Sequence, residues 1–188
     1  LASIGQENLP ALEAMASLKS RPVNSLLVVF SGEAAQQMQR NIPFEMAHIE
    51  KSPILAKIVC QGMDDDGFFP IVVHSTSTFS ASNELSNVNK SIKQDVVKAL
   101  MEEAVSSCLA PWVDVQFRTN IAYSAVHRWG AAFPEIHPFF EKDLSYVNSQ
   151  MKLAFCGDFF SQYPGRVETA FQSGRDAAEA IAIAETVW

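Results

Sequence analysis

The sequence predicts a mixed α/β (α+β) fold, in which a β-sheet domain with covering helices is followed by a C-terminal strand, turn and helix. Three observations predict it. Short β-rich runs recur at Val23 to Ser31, Ile54 to Gln61 and Phe69 to Ser75, each bounded by Pro, Gly or Asp turn signals. A long amphipathic run follows a polar stretch near mid-chain, and an apolar run from Met151 to Cys156 stops at Gly157 before a second helical stripe begins. With 188 residues and 48% hydrophobic content, the chain has enough apolar material to bury a core.

Taken in order, Leu9 to Ser20 carries Leu12, Met15, Ala16 and Leu18 at near-helical spacing behind Asn8 and Pro10, which suits a helix start. Val23 to Ser31 is nearly all apolar between Pro22 and Gly32, the pattern of a strand buried on both faces. The Asp64-Asp65-Asp66-Gly67 sequence makes Gln61 to Phe68 a hairpin loop between the next two strands, because Asp and Gly accept turn geometry. A calcium reading of the three aspartates lacks the remaining ligands of a calcium loop. The polar stretch Ser75 to Asn89 offers helix caps. Behind it, Val88, Ile92, Val96, Leu100, Met101, Ala104 and Cys108 share one face at 3.6-residue spacing, and Ala110-Pro111 ends the helix. Val113 to Tyr123 contains a strand that runs into His127-Arg128-Trp129, and Phe133-Pro134 and His137-Pro138 mark a loop. From Arg166 onward, Val167, Ala170, Phe171, Gly174, Ala178 and Ile181 form the last apolar stripe.

Charge and cysteine usage exclude several classes. A net charge of -7, without basic clustering beyond His127-Arg128, leaves no footprint for a phosphate backbone, so nucleic acid is not an expected partner. The most apolar stretches are strand-sized, and none reaches the 18 residues of a membrane span, so a soluble chain without a membrane partner is expected. Cys60, Cys108 and Cys156 are odd in number and far apart. They suggest neither a disulfide framework nor a zinc site, which favours a reducing compartment such as cytoplasm or an organelle stroma. His137 near Glu135, Glu141 and Asp143 lacks a second well-spaced His, so a solvated loop is expected there instead of a metal site, and His48 and His74 are expected to be structural.

The segment from Leu153 to Gly174 carries the chemistry. A buried strand ends at Gly157, where a ligand can approach the backbone, and Asp158 follows at the carboxyl edge where α/β sheets place ligands. A loop through Gly165 then opens a helix whose free N-H groups and positive dipole end suit an electron-rich group such as a flavin pyrimidine carbonyl or a diphosphate. Gly174, Ala170, Ala177 and Ala178 would let that helix lie close on the sheet. Cys156 is expected as a small buried residue at the strand end, although a covalent flavin attachment is the alternative.

The pattern strand-Cys-Gly-Asp, loop, Gly-Arg-Val-Glu-x-Ala-Phe-x-Ser-Gly resembles the C-terminal flavin motif of FAD-dependent amine-oxidase-like flavoproteins, especially the renalase-like branch with an FAD/NAD(P)-binding fold. The resemblance implies residues 1–145 as a partial substrate-binding domain and residues 146–188 as the returning strand and helix of a Rossmann-like FAD-binding domain. It implies FAD as cofactor, with Asp158 meeting the ribityl or diphosphate part and backbone N-H groups around Arg166 and Val167 facing the isoalloxazine ring. Gly157, Gly165, Glu168 and Ala170 complete the matched positions, and Ser173 matches without an assigned role. On the substrate side, Arg128 and Trp129 would wall the flavin ring, against the plainer reading of a surface Arg beside a core Trp. Tyr123 and His127 are weaker candidates for a general base. The implied reaction is hydride transfer from an amine or a dihydropyridine nucleotide to flavin N5.

The Gly-x-Gly-x-x-Gly turn that holds the FAD diphosphate in this family does not occur in the sequence, and the chain opens on Leu1. The expectation is therefore a C-terminal piece whose partner is the N-terminal FAD-binding half of the same protein, inactive alone. The rival expectation is a non-catalytic remnant or binding module. A flavin-dependent desaturase, which shares the terminal motif, is a weaker alternative.

Overall fold

The computed structural model describes residues 9–82, 90–113, 120–137, 140, 143–149 and 151–185. The element order is α1 (Leu9–Ser17), β1 (Ser20–Phe30), α2 (Gly32–Asn41), β2 (Met46–His48), β3 (Leu55–Cys60), β4 (Phe69–Ser75), α3 (Ser77–Ala81), α4 (Lys90–Leu109), β5 (Ile121–Pro134), β6 (Tyr146–Asn148), β7 (Leu153–Phe155) and α5 (Val167–Glu185). This is a mixed α/β architecture, as the sequence predicts. The chain forms two compact units, Pro22–Gly130 and the discontinuous pair Leu1–Arg21 with Ala131–Trp188. Compactness thus groups α1 and the stretch after residue 130 with the C-terminal strand and helix, a different cut from the 145/146 boundary expected from the sequence.

In the larger unit, five strands form one sheet in the order β2-β3-β4-β1-β5. The pairings of β1 with β4, β3 with β4 and β2 with β3 are antiparallel, and Leu27 lies opposite Val72. Antiparallel sheets tolerate one open face. Accordingly, β1 buries only alternate residues: Leu26, Val28 and Phe30 point into the core, whereas Leu27 is exposed, correcting the expectation of burial on both faces. On β3, Leu55 and Ile58 are both buried despite their odd spacing, because a register shift between Leu55 and Lys57 changes which residues face inward. The core is completed by Phe69, Ile71 and Val73 from β4 and by side chains of α2 and α4.

The hairpin loop expected at Gln61 to Phe68 is present and closed by its own first aspartate. The Asp64 carboxylate accepts from the N-H groups of Asp66 (3.1 Å) and Phe68 (2.8 Å), while the Asp64 N-H donates to the Phe68 carbonyl (2.9 Å). At the other end of the sheet, the Asn24 N-H is shared between the hydroxyls of Ser75 (3.0 Å) and Ser80 (2.8 Å), which satisfies a buried donor where β1 meets α3. Thr76 caps α3 by accepting from the Phe79 N-H at 3.1 Å. The caps expected at 83–89 and the strand start expected at 114–119 lie outside the described residues.

Two helices differ from the sequence reading. α2 was not expected, since its buried face is only Ala34, Ala35 and Met38; Glu33 in its first turn and Arg40 in its last suit the helix dipole. In α4 the buried stripe is Val97, Met101, Val105 and Leu109; of the expected face Met101 is buried and Ala104 and Cys108 pack against the core, whereas Ile92, Val96 and Leu100 are exposed. A stripe of i, i+4, i+8, i+12 spacing drifts around the helix, and the sheet selects the side on which Met101 and Val105 are fully enclosed.

In the smaller unit, β6 and β7 pair antiparallel with Tyr146 opposite Phe155. The run Met151–Cys156 is therefore a three-residue, half-buried strand and not a deeply buried one. Phe140 and Phe160 are fully buried there with Ala14, their rings edge-on at 4.8 Å. Among the described residues, no helix is long and apolar enough to cross a membrane.

The rotated stripe of α4 gives a direct test by urea unfolding. Met101→Ala is expected to lower stability by about 2–5 kcal/mol, and Leu100→Ala by less than about 1 kcal/mol. The reverse ranking would show that the row of Ile92, Val96 and Leu100 is the buried one.

Candidate functional site

The C-terminal site is built outward from the end of β7. After Cys156 the chain turns at Gly157, where a Cβ would sit 2.4 Å from the Phe159 ring, so only glycine fits. The Gly157 N-H donates to the Ser173 hydroxyl at 2.8 Å, and Ser173 is completely buried. This bond ties the turn to the second turn of α5. The intervening loop is closed by Gly165, whose N-H donates to the Asp158 carbonyl at 3.3 Å. Gly165 holds φ +81°, and a Cβ there would lie 2.8 Å from the Phe133 ring. Both glycines thus carry structural constraints of their own, Gly157 at the position the sequence reading gave to ligand approach.

The start of α5 is open. The first intrahelical bond described runs from the Ala170 N-H to the Arg166 carbonyl, which leaves the N-H groups of Val167, Glu168 and Thr169 ahead of it. Val167 is 90% exposed. Asp158 is half-buried, and among the described residues its carboxylate has no hydrogen-bond or ion-pair partner. Glu168 is exposed and accepts from Gln172 at 3.3 Å on its own helix. The Arg166 guanidinium lies over the Tyr163 ring, 5.1 Å from its centroid.

The face of α5 that packs inward is Thr169, Ser173 and Ala177. The expected stripe of Val167, Ala170, Phe171, Ala178 and Ile181 points outward, with Phe171 68% exposed. A Cβ on Gly174 would meet nothing within 4 Å, so that glycine is not a close-approach position. The smallest polar residue of the motif, Ser173, is the true contact, and apolar periodicity passed over it because a hydroxyl counts as polar even when it faces the interior. Cys156 is exposed, contrary to its expected burial.

The three substrate-side candidates lie on β5, in the other unit, as strand residues and not on a helix or loop. Successive side chains on a strand point to opposite faces. On one face, Ser124 donates to Glu102 at 2.6 Å and Arg128 donates to the Ser80 carbonyl at 3.2 Å. The alternate residues Tyr123, His127 and Trp129 share the opposite face; Tyr123 and Trp129 are each 53% exposed. The His127 and Trp129 rings meet at 4.4 Å. Arg128 and Trp129 therefore lie on opposite faces of β5, and Tyr123 and His127 share one face. The same open sheet face carries Leu27, Val72 and His74. Burial, and then the charge of nearby Lys57, lowers the His74 pKa from its ordinary 6.5. Burial raises the Cys60 thiol to about 11, which keeps it protonated. His137 is engaged by the Ser17 hydroxyl at 3.1 Å.

Two outcomes follow. Ser173→Ala leaves the Gly157 N-H without its acceptor and is expected to cost about 1–3 kcal/mol in urea unfolding, with Ser173→Thr recovering part of the loss. Because His74 binds a proton less readily folded than unfolded, its contribution to stability is full above pH 6.5 and lost as pH falls below that value. His74→Gln should flatten the stability profile in that window, and an unchanged acid slope would remove His74 as its source.

A family model described as flavin containing amine oxidoreductase matches residues 3–182, and no curated protein matches the chain. The match spans both compact units and takes in every element from α1 through most of α5, and the chain accordingly belongs to the flavin-containing amine oxidoreductase family.

Proposed function

We propose that this chain supplies the C-terminal flavin-binding segment and the substrate-side sheet of an FAD-dependent oxidoreductase that takes hydride from an amine or a dihydropyridine nucleotide, as renalase-type enzymes do. The observation that carries the reading is the uncapped N-terminus of α5, set beside the Gly157-Asp158 turn by the Ser173 bond. Backbone donors of the first turn, at the positive end of a 19-residue helix, suit the carbonyl-rich edge of a flavin. Asp158, with an unengaged carboxylate, suits the hydroxyls of a ribityl chain. The residues present therefore fit the group. When bound, FAD supplies the hydride acceptor and its reoxidation, and no protein nucleophile is required.

The chain's own residues would then bind and orient. The N-H groups of Val167 and Glu168 hold the flavin edge, and Gly165 keeps the loop that precedes them in its left-handed turn. The open face bearing Tyr123, His127 and Trp129 would form an aromatic wall that excludes water from the substrate. Arg128, bonded to the Ser80 carbonyl on the other face, would fix the strand. The diphosphate would be held by a Gly-x-Gly-x-x-Gly turn in an N-terminal half of the same protein. The outward stripe of Val167, Phe171 and Ile181, with an apolar cleft of about 310 Å³ lined by Val147, Leu153 and Ala154, offers that half a surface to cover.

The visible spectrum of the purified full-length protein tests this. Flavin absorbance is expected as isolated or after adding FAD, and its absence in both would sink the reading. Asp158→Ala should reduce flavin retention by about tenfold, the scale of a lost charge-assisted hydrogen bond. Undiminished occupancy would take Asp158 out of the site.

A further inference from the structure

The smaller unit contains a polar cleft to whose side chains the flavin reading gives no role. Its volume is about 460 Å³, and its lining includes Arg21, Pro134, Glu135, Gln162, Tyr163 and Arg166. Both walls are fixed by hydrogen bonds. On one side, the Glu135 N-H donates to the Lys19 carbonyl at 2.8 Å, which joins the end of β5 to the residues just ahead of β1 and Arg21. On the other, the Tyr163 N-H donates to the Ser161 hydroxyl at 2.8 Å, and Gly165 rests against Phe133 from the end of β5.

The charge of this cleft opposes that of the chain. Its charged lining residues are Arg21, Arg166 and Glu135, two basic and one acidic, whereas the whole sequence carries -7. Among the described residues, neither Arg21 nor Arg166 is paired with a carboxylate. Arg166 is instead stacked over the Tyr163 ring, which restricts its position while leaving the in-plane donors of the guanidinium to an acceptor. Guanidinium forks match the oxygens of phosphate and carboxylate groups, and the positive end of α5 begins at the residue after Arg166.

The geometry points to an oxyanion subsite in this cleft, which takes the phosphate or carboxylate group of a small-molecule ligand through Arg21 and Arg166, with Tyr163 as the surface beneath it. The subsite deepens the proposed function and, in its choice of substrate, rests on it. Of the two substrate classes, a dihydropyridine nucleotide brings a diphosphate that this cleft can hold, whereas a simple amine brings no group for either arginine. Recognition of the substrate then lies partly in the same loop that sets the start of α5.

The experiment is a calorimetric titration of the full-length protein with pyrophosphate and, separately, with succinate, flavin content being measured before and after. Binding of one or both is expected, weakening as salt is raised. Arg21→Gln and Arg166→Gln should each reduce the affinity by about tenfold or more, and Arg21→Lys should recover part of it. Tighter binding of pyrophosphate identifies a phosphate ligand, and tighter binding of succinate a carboxylate ligand. Failure of both probes to bind, or equal binding by wild type and both Gln variants, overturns the subsite. Such a failure in a protein that retains flavin leaves the flavin reading intact. Arginine-dependent binding in a protein that never holds flavin removes the flavin reading and keeps the subsite.

Discussion

The hydrogen bond from the Gly157 N-H to the Ser173 hydroxyl fixes how the C-terminal segment is arranged. An N-H just past the end of a strand has no ladder partner, and burying it unsatisfied would cost free energy. Ser173 meets that need from the second turn of α5, and in doing so sets the rotation of the helix about its own axis. Thr169 and Ala177 follow Ser173 inward at one-turn spacing, while Val167, Phe171 and Ile181 are carried outward. The direction in which the helix start presents its free donors depends on the same bond. A single small polar side chain therefore decides both which surface of α5 is apolar and open, and where an electron-rich ligand could meet backbone N-H groups.

In the sheet unit the comparable constraint is strand alternation. α2 and α4 cover one face, so every second residue of β1 and β4 is enclosed and the others remain on the open side. β5 extends this division along its length, sending Ser124 and Arg128 toward α4 and α3 and leaving Tyr123, His127 and Trp129 on the other face. Residues adjacent in sequence, such as Arg128 and Trp129, consequently have unrelated tasks: one anchors the strand and the other presents an aromatic ring.

Much of this was legible in the residues. Phe69–Ser75 was read to its exact bounds because Gly67 and Thr76 punctuate a run of β-branched and aromatic residues. The Asp-rich loop was legible because an aspartate can satisfy its own turn. The family resemblance was legible from Gly-Asp and Gly-Arg-Val-Glu as a pattern, and the family match bears it out. Helix rotation was not legible. In α4 and α5 the apolar residues outnumber those that one neighbour can cover, so periodicity allowed more than one inward face, and tertiary contacts chose among them. α2 was missed because its buried side consists of two alanines and one methionine, too little apolar surface to stand out from a loop. Arg21 could not be linked to Arg166, since only the return of β5 past Lys19 brings their walls together.

The self-closed loop at Asp64 also bears on how the sheet can assemble. β3 and β4 are joined by a short loop that the Asp64 carboxylate closes on itself, so their pairing closes a short length of chain. β1 must find β4 across the whole of α2, β2 and β3, as the opposition of Leu27 and Val72 requires. The hairpin is thus the least costly ladder to nucleate, and it can serve as the template on which the earlier strand docks. The order of sheet formation then runs against the order of the chain, with the first strand in sequence held in waiting until its partner has formed.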